Sequence, residues 1–157
     1  MAGFRPILAL VIAVVLVFGV VATLGLGASP SDWYRQIKKP SFTPPGWVFG
    51  PAWMLLYLSM AVAVWWVWLK SGFTGAPLAM AVFAMQLLLN GLWSKFFFGM
   101  HNPGLALADI ALLWAAIVGT VICFWRVSPA AGAILLPYLA WVSFASVLNY
   151  SIWVLNR

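Results

Sequence analysis

Hydrophobic residues run through this chain in five long stretches, and proline opens most of them. Ile7–Leu26 is uncharged and follows Pro6. Trp47–Leu69 follows the Pro44-Pro45 pair and contains Pro51. Pro77–Gly99 is uncharged to Ser94 and then crosses Lys95. Pro103–Trp125 is interrupted by Asp109, and Pro129–Leu155 carries no charge at all. A bilayer's hydrocarbon core takes about 20 apolar residues to cross as a helix, so each stretch predicts one span. Proline suits a first helical turn, where its missing N–H has no intrahelical partner to lose. The predicted helices cover 6–27, 46–69, 77–99, 103–126 and 129–155, within one membrane domain spanning 1–157. Pro137 falls inside the fifth and predicts a kink there. The expected fold class is all-α integral membrane, a five-transmembrane-helix bundle with a long first loop acting as a lid.

The connections differ in length. The later ones are short, as between antiparallel neighbours in a bundle. The first, 28–45, holds Trp33, Tyr34, Arg35, Lys38, Lys39 and four prolines. Prolines lower the entropy lost when such a segment adopts one shape. A loop this long is either a solvated connector or a functional cover over one end of the bundle. The first apolar stretch, despite the small residues Gly25–Ala28 after it, exceeds the 7–15 residues usual in a secretory signal.

Composition agrees with a bilayer. Of 157 residues, 66% are hydrophobic and only 6% charged, whereas a soluble domain carries roughly 25% charged residues. The net charge of +6 comes from Lys and Arg scattered near segment ends, where such side chains reach headgroups. No contiguous basic face forms, which excludes nucleic acid as a partner. Arg35, Lys38, Lys39, Lys95 and Arg157 fall on one side and Arg5, Lys70 and Arg126 on the other, favouring a cytoplasmic first loop and C-terminus. Cys123 alone forms neither a disulfide nor a thiolate metal site.

The polar residues within the spans are few and sit beside aromatic ones. The third stretch places Gln86, Asn90, Trp93 and Phe97 on one helix face. The fifth does the same with Tyr138, Trp141, Ala145 and Asn149, and the second with Phe49, Trp53 and Tyr57. Trp47, Trp65, Trp66 and Trp68 fit an interfacial belt. An amide in hydrocarbon either bonds a neighbouring helix or faces a cavity, and both readings stand for Gln86 and Asn90. If the three faces converge, Trp53, Trp93 and Trp141 enclose a hollow for a flat, conjugated, apolar ligand.

Asp109 is the acid within a span. It lies as far from the turn at Asn102 as Lys95 does, which predicts an ion pair across that hairpin. His101, in the turn, has no second ligand at metal-site spacing, and no nucleophile–base set can be assembled. Ala111, Ala115 and Gly119 form a small-residue stripe suited to close helix packing, within the chain or between copies.

Read in order, these residues resemble the translocator protein / tryptophan-rich sensory protein (peripheral benzodiazepine receptor) family. The resemblance rests on Trp33-Tyr34, Lys39-Pro40, Pro44-Pro45, Trp47, Phe49, Trp53 and Tyr57, then Gln86, Asn90, Trp93 and Phe97-Phe98-Gly99. It ends with Pro137–Trp141, Phe144-Ala145 and Leu148-Asn149-Tyr150. It implies a retained first helix, a homodimer in a multi-pass, bacterial membrane setting, and a cavity that binds protoporphyrin IX or a related tetrapyrrole, with no obligatory cofactor. The implied ligand residues are Tyr34, Trp53, Asn90, Trp93, Trp141, Ala145 and Leu148, to which the second-helix stripe adds Tyr57. Phe42 stands where many members have Trp. Val154 replaces the basic residue of the sterol-associated pattern.

The function expected is tetrapyrrole binding linked to porphyrin handling, transport or stress signalling. Arg35, Lys38 and Lys39 would meet the propionates. The alternatives are light-dependent porphyrin breakdown, with Trp53 and Trp141 as oxidisable partners, and binding of a sterol or other small lipophile.

Overall fold

The computed structural model describes residues 4–24 and 32–157. Its five long apolar helices are each able to cross a membrane. In chain order the helices are α1 (Phe4–Leu24), the short α2 (Asp32–Gln36), α3 (Gly46–Gly75), α4 (Pro77–Ser94), α5 (Pro103–Val127), α6 (Pro129–Ala133) and α7 (Leu136–Leu155). Strands are absent among the described residues. The chain is an integral, multi-pass membrane protein. Predicted positions 25–27 of the first helix and 28–31 of the loop lie outside the described residues.

Helix boundaries follow local chemistry. Pro77, Pro103 and Pro129 occupy first turns. Asn102 caps α5, its Oδ1 accepting the Leu105 N–H at 2.9 Å, which satisfies one of the amides a helix start leaves without an internal partner. Gly72 has φ 62° and interrupts α3 near its end, a conformation glycine adopts without a Cβ penalty. The fifth stretch is divided: α6 ends at Ala133, and Pro137 lies in the first turn of α7. The kink expected at Pro137 is therefore a break one turn earlier, because the residue cannot donate to the Ala133 carbonyl.

Between α4 and the Asn102 turn, Lys95–Gly99 forms a π-helical turn. Met100 N–H bonds the Lys95 carbonyl at 2.8 Å, five residues back. The wider turn buries Phe97 and leaves Lys95 exposed. Asp109 is 5% exposed and faces inward with Ala106, Ile110 and Leu113. The expected Lys95–Asp109 ion pair is not formed. The two match in depth but not in direction around their helices, and Asp109 Oδ2 has no hydrogen-bond partner.

α1 packs on α3 and α4, α4 on α5, and α5 on α7. The main core runs through Val17, Met60, Phe83, Ile117, Phe124 and Tyr138. Close approach of α1 to α4 depends on Gly91, where an added Cβ would lie 2.5 Å from Leu24 Cβ. An apolar groove of ≈ 550 Å³ lies between α1, α3 and α4, walled by residues such as Leu8, Leu16, Trp65, Phe83 and Leu87. Trp65, expected in the belt, donates its Nε1–H to the Pro6 carbonyl at 2.8 Å and ties α3 to the start of α1. Ala111 and Ala115 are exposed, and a Cβ at Gly119 would meet no neighbour. The small-residue stripe thus faces outward and is not used to pack this chain.

Gly91→Val should destabilise the protein by about 1–3 kcal/mol through overpacking. Thermal unfolding in detergent measures it, and adding Leu24→Ala should restore part of the loss.

Candidate functional site

The three aromatic faces predicted from spacing converge. Trp53 of α3 lies 6.4 Å from Trp93 of α4 and 6.4 Å from Trp141 of α7, ring centre to ring centre. Phe49 meets Trp141 edge-on at 5.9 Å, and Trp93 stacks on Phe97 at 5.3 Å. Such pairs contribute roughly 0.5–1.5 kcal/mol each beyond area burial. α2 adds Trp33 and Tyr34, both edge-on to Phe97, and Tyr34 also meets Phe98 at 5.4 Å.

A cavity lies at the centre of this cluster. Tyr34, Trp53, Trp93, Trp141, Ala145 and Leu148 line it, together with Phe49, Phe97, Phe98, Asn149 and Ile152. Its volume is ≈ 20 Å³, room for about one water. The rings converge as expected, but they pack against one another instead of enclosing a hollow the size of a macrocycle. Edge-to-face contacts among the aromatics replace the space.

Tyr57 and Asn90, also predicted as ligand residues, stand behind this lining. Tyr57 donates to Asn90 Oδ1 at 3.1 Å, Asn90 Nδ2 donates to the Tyr138 hydroxyl at 2.9 Å, and Tyr138 donates to Gln86 Oε1 at 2.9 Å. Gln86 Nε2 ends the series against Met60 Sδ at 4.0 Å. Asn90, Gln86 and Tyr138 are each 1% exposed. Of the two readings open for these amides, they serve as interhelical bonds. They fix α3, α4 and α7 in register and hold Trp53 and Trp93, their chain neighbours on the same faces.

Asn149 does for Trp93 what Asn90 does for the helices. Its Oδ1 accepts Trp93 Nε1–H at 2.9 Å, and its Nδ2 donates to the Pro103 carbonyl at 2.8 Å. It sits on the α7 stripe one turn beyond Ala145, a signal sufficient to place it in the site. Ile152, one turn beyond Leu148, follows the same spacing. Phe98 carries no such signal, because its approach depends on the π-helical turn.

The loop residues present little free charge to the cavity. Lys39 Nζ donates to the carbonyls of Tyr34 at 2.6 Å and Ile37 at 3.1 Å, and lies 4.8 Å over the Tyr34 ring. Arg35 pairs with Asp32 at 3.6 Å, both exposed. Of the three cations expected to meet a ligand's carboxylates, Lys39 is thus committed to the loop itself. Burial pushes the Tyr34 phenol up from its ordinary value. No cluster of three metal-ligating side chains occurs among the described residues.

Fold and site together define a five-span membrane protein with a small tryptophan-walled cavity that Tyr34 of the first loop helps to line. The chain belongs to the TspO/MBR family, whose profile matches residues 7–154. It is 42% identical over 145 residues to "Tryptophan-rich protein TspO" of Archaeoglobus fulgidus, covering 92% of this chain and 94% of that one. It is 42% identical over 123 residues to human "Translocator protein", covering 77% and 73%. It is 37% identical over 138 residues to "Tryptophan-rich sensory protein" of Cereibacter sphaeroides, covering 88% and 85%.

Tyr138→Phe leaves Asn90 Nδ2 and Gln86 Oε1 unpaired and should cost about 1–3 kcal/mol, with Gln86→Leu in the same chain less than additive by denaturation. Lys95→Met and Asp109→Asn, which do not touch, should add within about 0.5 kcal/mol in the same assay.

Proposed function

We propose that this protein binds a tetrapyrrole such as protoporphyrin IX within the membrane, in the service of porphyrin handling, transport or stress signalling. The observation carrying this reading is the convergence of Trp53, Trp93 and Trp141 from three helices under Tyr34. A porphyrin is a flat, apolar disc with carboxylates on one edge. Indole and phenyl faces match the disc, and exposed Arg35 and Lys38 supply positive potential at the loop for the edge. Binding parts the aromatic rings and moves the loop, since the resting cavity is far smaller than the ligand.

In this reading Trp53, Trp93, Trp141 and Tyr34 form the walls, Ala145 and Leu148 leave the space beside Trp141, and Asn149 sets the angle of Trp93. Tyr57 and Asn90 act from behind, by holding the helices that carry those walls. The proposal includes a homodimer, with the outward stripe of Ala111, Ala115 and Gly119 open to a second copy. The smallness of the resting cavity favours one competing reading, a compact lipophile that demands less opening.

Quenching of indole fluorescence by protoporphyrin IX in purified protein tests the proposal. Saturable quenching is expected. Trp141→Phe and Trp93→Leu should each weaken affinity roughly 2- to 12-fold, the range of one aromatic pair. Non-saturable quenching that ignores both substitutions would reject tetrapyrrole binding, and saturable binding of a sterol alone would favour the competing reading.

A further inference from the structure

Tyr34 brings the first loop to the cavity wall, and the bonds holding that part of the loop to the bundle can be traced. Trp33, Tyr34 and Ile37 pack on Phe97, Leu148 and Ile152, and Phe42 meets Phe144 at 6.3 Å. Residues 32–39 behave as one piece, because Lys39 folds back onto the carbonyls of Tyr34, Arg35 and Ile37 and closes the end of α2. The piece is fastened to the bundle by a two-point amide clasp. Lys38 N–H donates to Asn156 Oδ1 at 3.0 Å, and Asn156 Nδ2 returns a bond to the Lys38 carbonyl at 2.9 Å. A third bond, from Asn156 Nδ2 to the Ile152 carbonyl at 2.7 Å, fixes the side chain on the end of α7.

We propose that Asn156 is the latch of this cover, and that release of its clasp on Lys38 limits the rate at which ligand enters and leaves the cavity. The inference rests on the ligand-binding reading for its second half only. Asn156 does not line the cavity, so it has no part in affinity. Its bonds join two surfaces that separate on opening, whereas those of Lys39 stay within the moving piece. The clasp is exposed, so water replaces its bonds readily when they break. Apolar packing of Trp33, Tyr34 and Ile37 gives the closed position its shape, and Asn156 sets how often it is left.

Two measurements on the full-length protein test this. The first is hydrogen exchange over residues 32–45 without ligand, comparing wild type, Asn156→Ala and the control Ser151→Ala, whose hydroxyl bonds only within its own helix. Asn156→Ala should speed exchange there by roughly tenfold, the combined effect of two neutral hydrogen bonds, and Ser151→Ala should not. The second is stopped-flow association and dissociation of protoporphyrin IX. Both rates should rise together in Asn156→Ala, with Kd held within about twofold, as a latch that re-forms over bound ligand requires. Unchanged exchange overturns the latch; a rise in neither rate, or in one alone, overturns its control of entry. If wild type binds no protoporphyrin, the ligand reading falls, and the exchange data alone decide whether Asn156 fastens the cover.

Discussion

Hydrocarbon offers no hydrogen bonds, and this fold is arranged around that constraint. Every amide or hydroxyl placed deep in a span needs a partner on another helix or on its own backbone. The series from Tyr57 through Asn90 and Tyr138 to Gln86 meets that need across α3, α4 and α7. It has one direction, each group donating to the next, so no member can rotate alone without stranding a neighbour. Apolar side chains tolerate sliding between helices, since Leu against Leu resembles Leu against lipid. These four polar groups do not. They set the register on which the meeting of the three indoles depends.

Asn149 extends the same logic to a single ring. An indole at the end of a helical stripe has two torsions free. The bond from Trp93 Nε1 to Asn149, which is itself anchored on the Pro103 carbonyl, removes that freedom. A shape-selective wall needs such fixing, because a ring that wanders presents no defined face.

Much of this was legible in the chain. Apolar length gave the five spans despite Lys95 and Asp109, and helical spacing alone put Trp53, Trp93, Trp141 and Ala145 on faces that meet. Spacing could not distinguish a residue lining the cavity from one standing behind it. Asn90 and Tyr57 lie on the correct faces but one turn away from the lining, where Tyr57 bonds Asn90 and Asn90 bonds Tyr138 of α7. The Lys95–Asp109 expectation failed for a related reason. Distance from a turn fixes depth along two helices, while the π-helical turn changes direction around one of them, and nothing in Lys-Phe-Phe-Phe-Gly announces a widened turn. Cavity volume was also beyond reach, because aromatic side chains that could frame a ligand pack equally well on each other.

The groove beside α1 carries a consequence of its own. Ile7, Val11, Val15 and Leu16 turn at least half their surface outward, and the inner side of the same helix borders the ≈ 550 Å³ groove. The first helix is therefore solvated by acyl chains on most of its circumference. Its free energy is set by the surrounding amphiphile more than that of any other span, so delipidation or a poorly matched detergent will loosen the molecule from its N-terminal edge first.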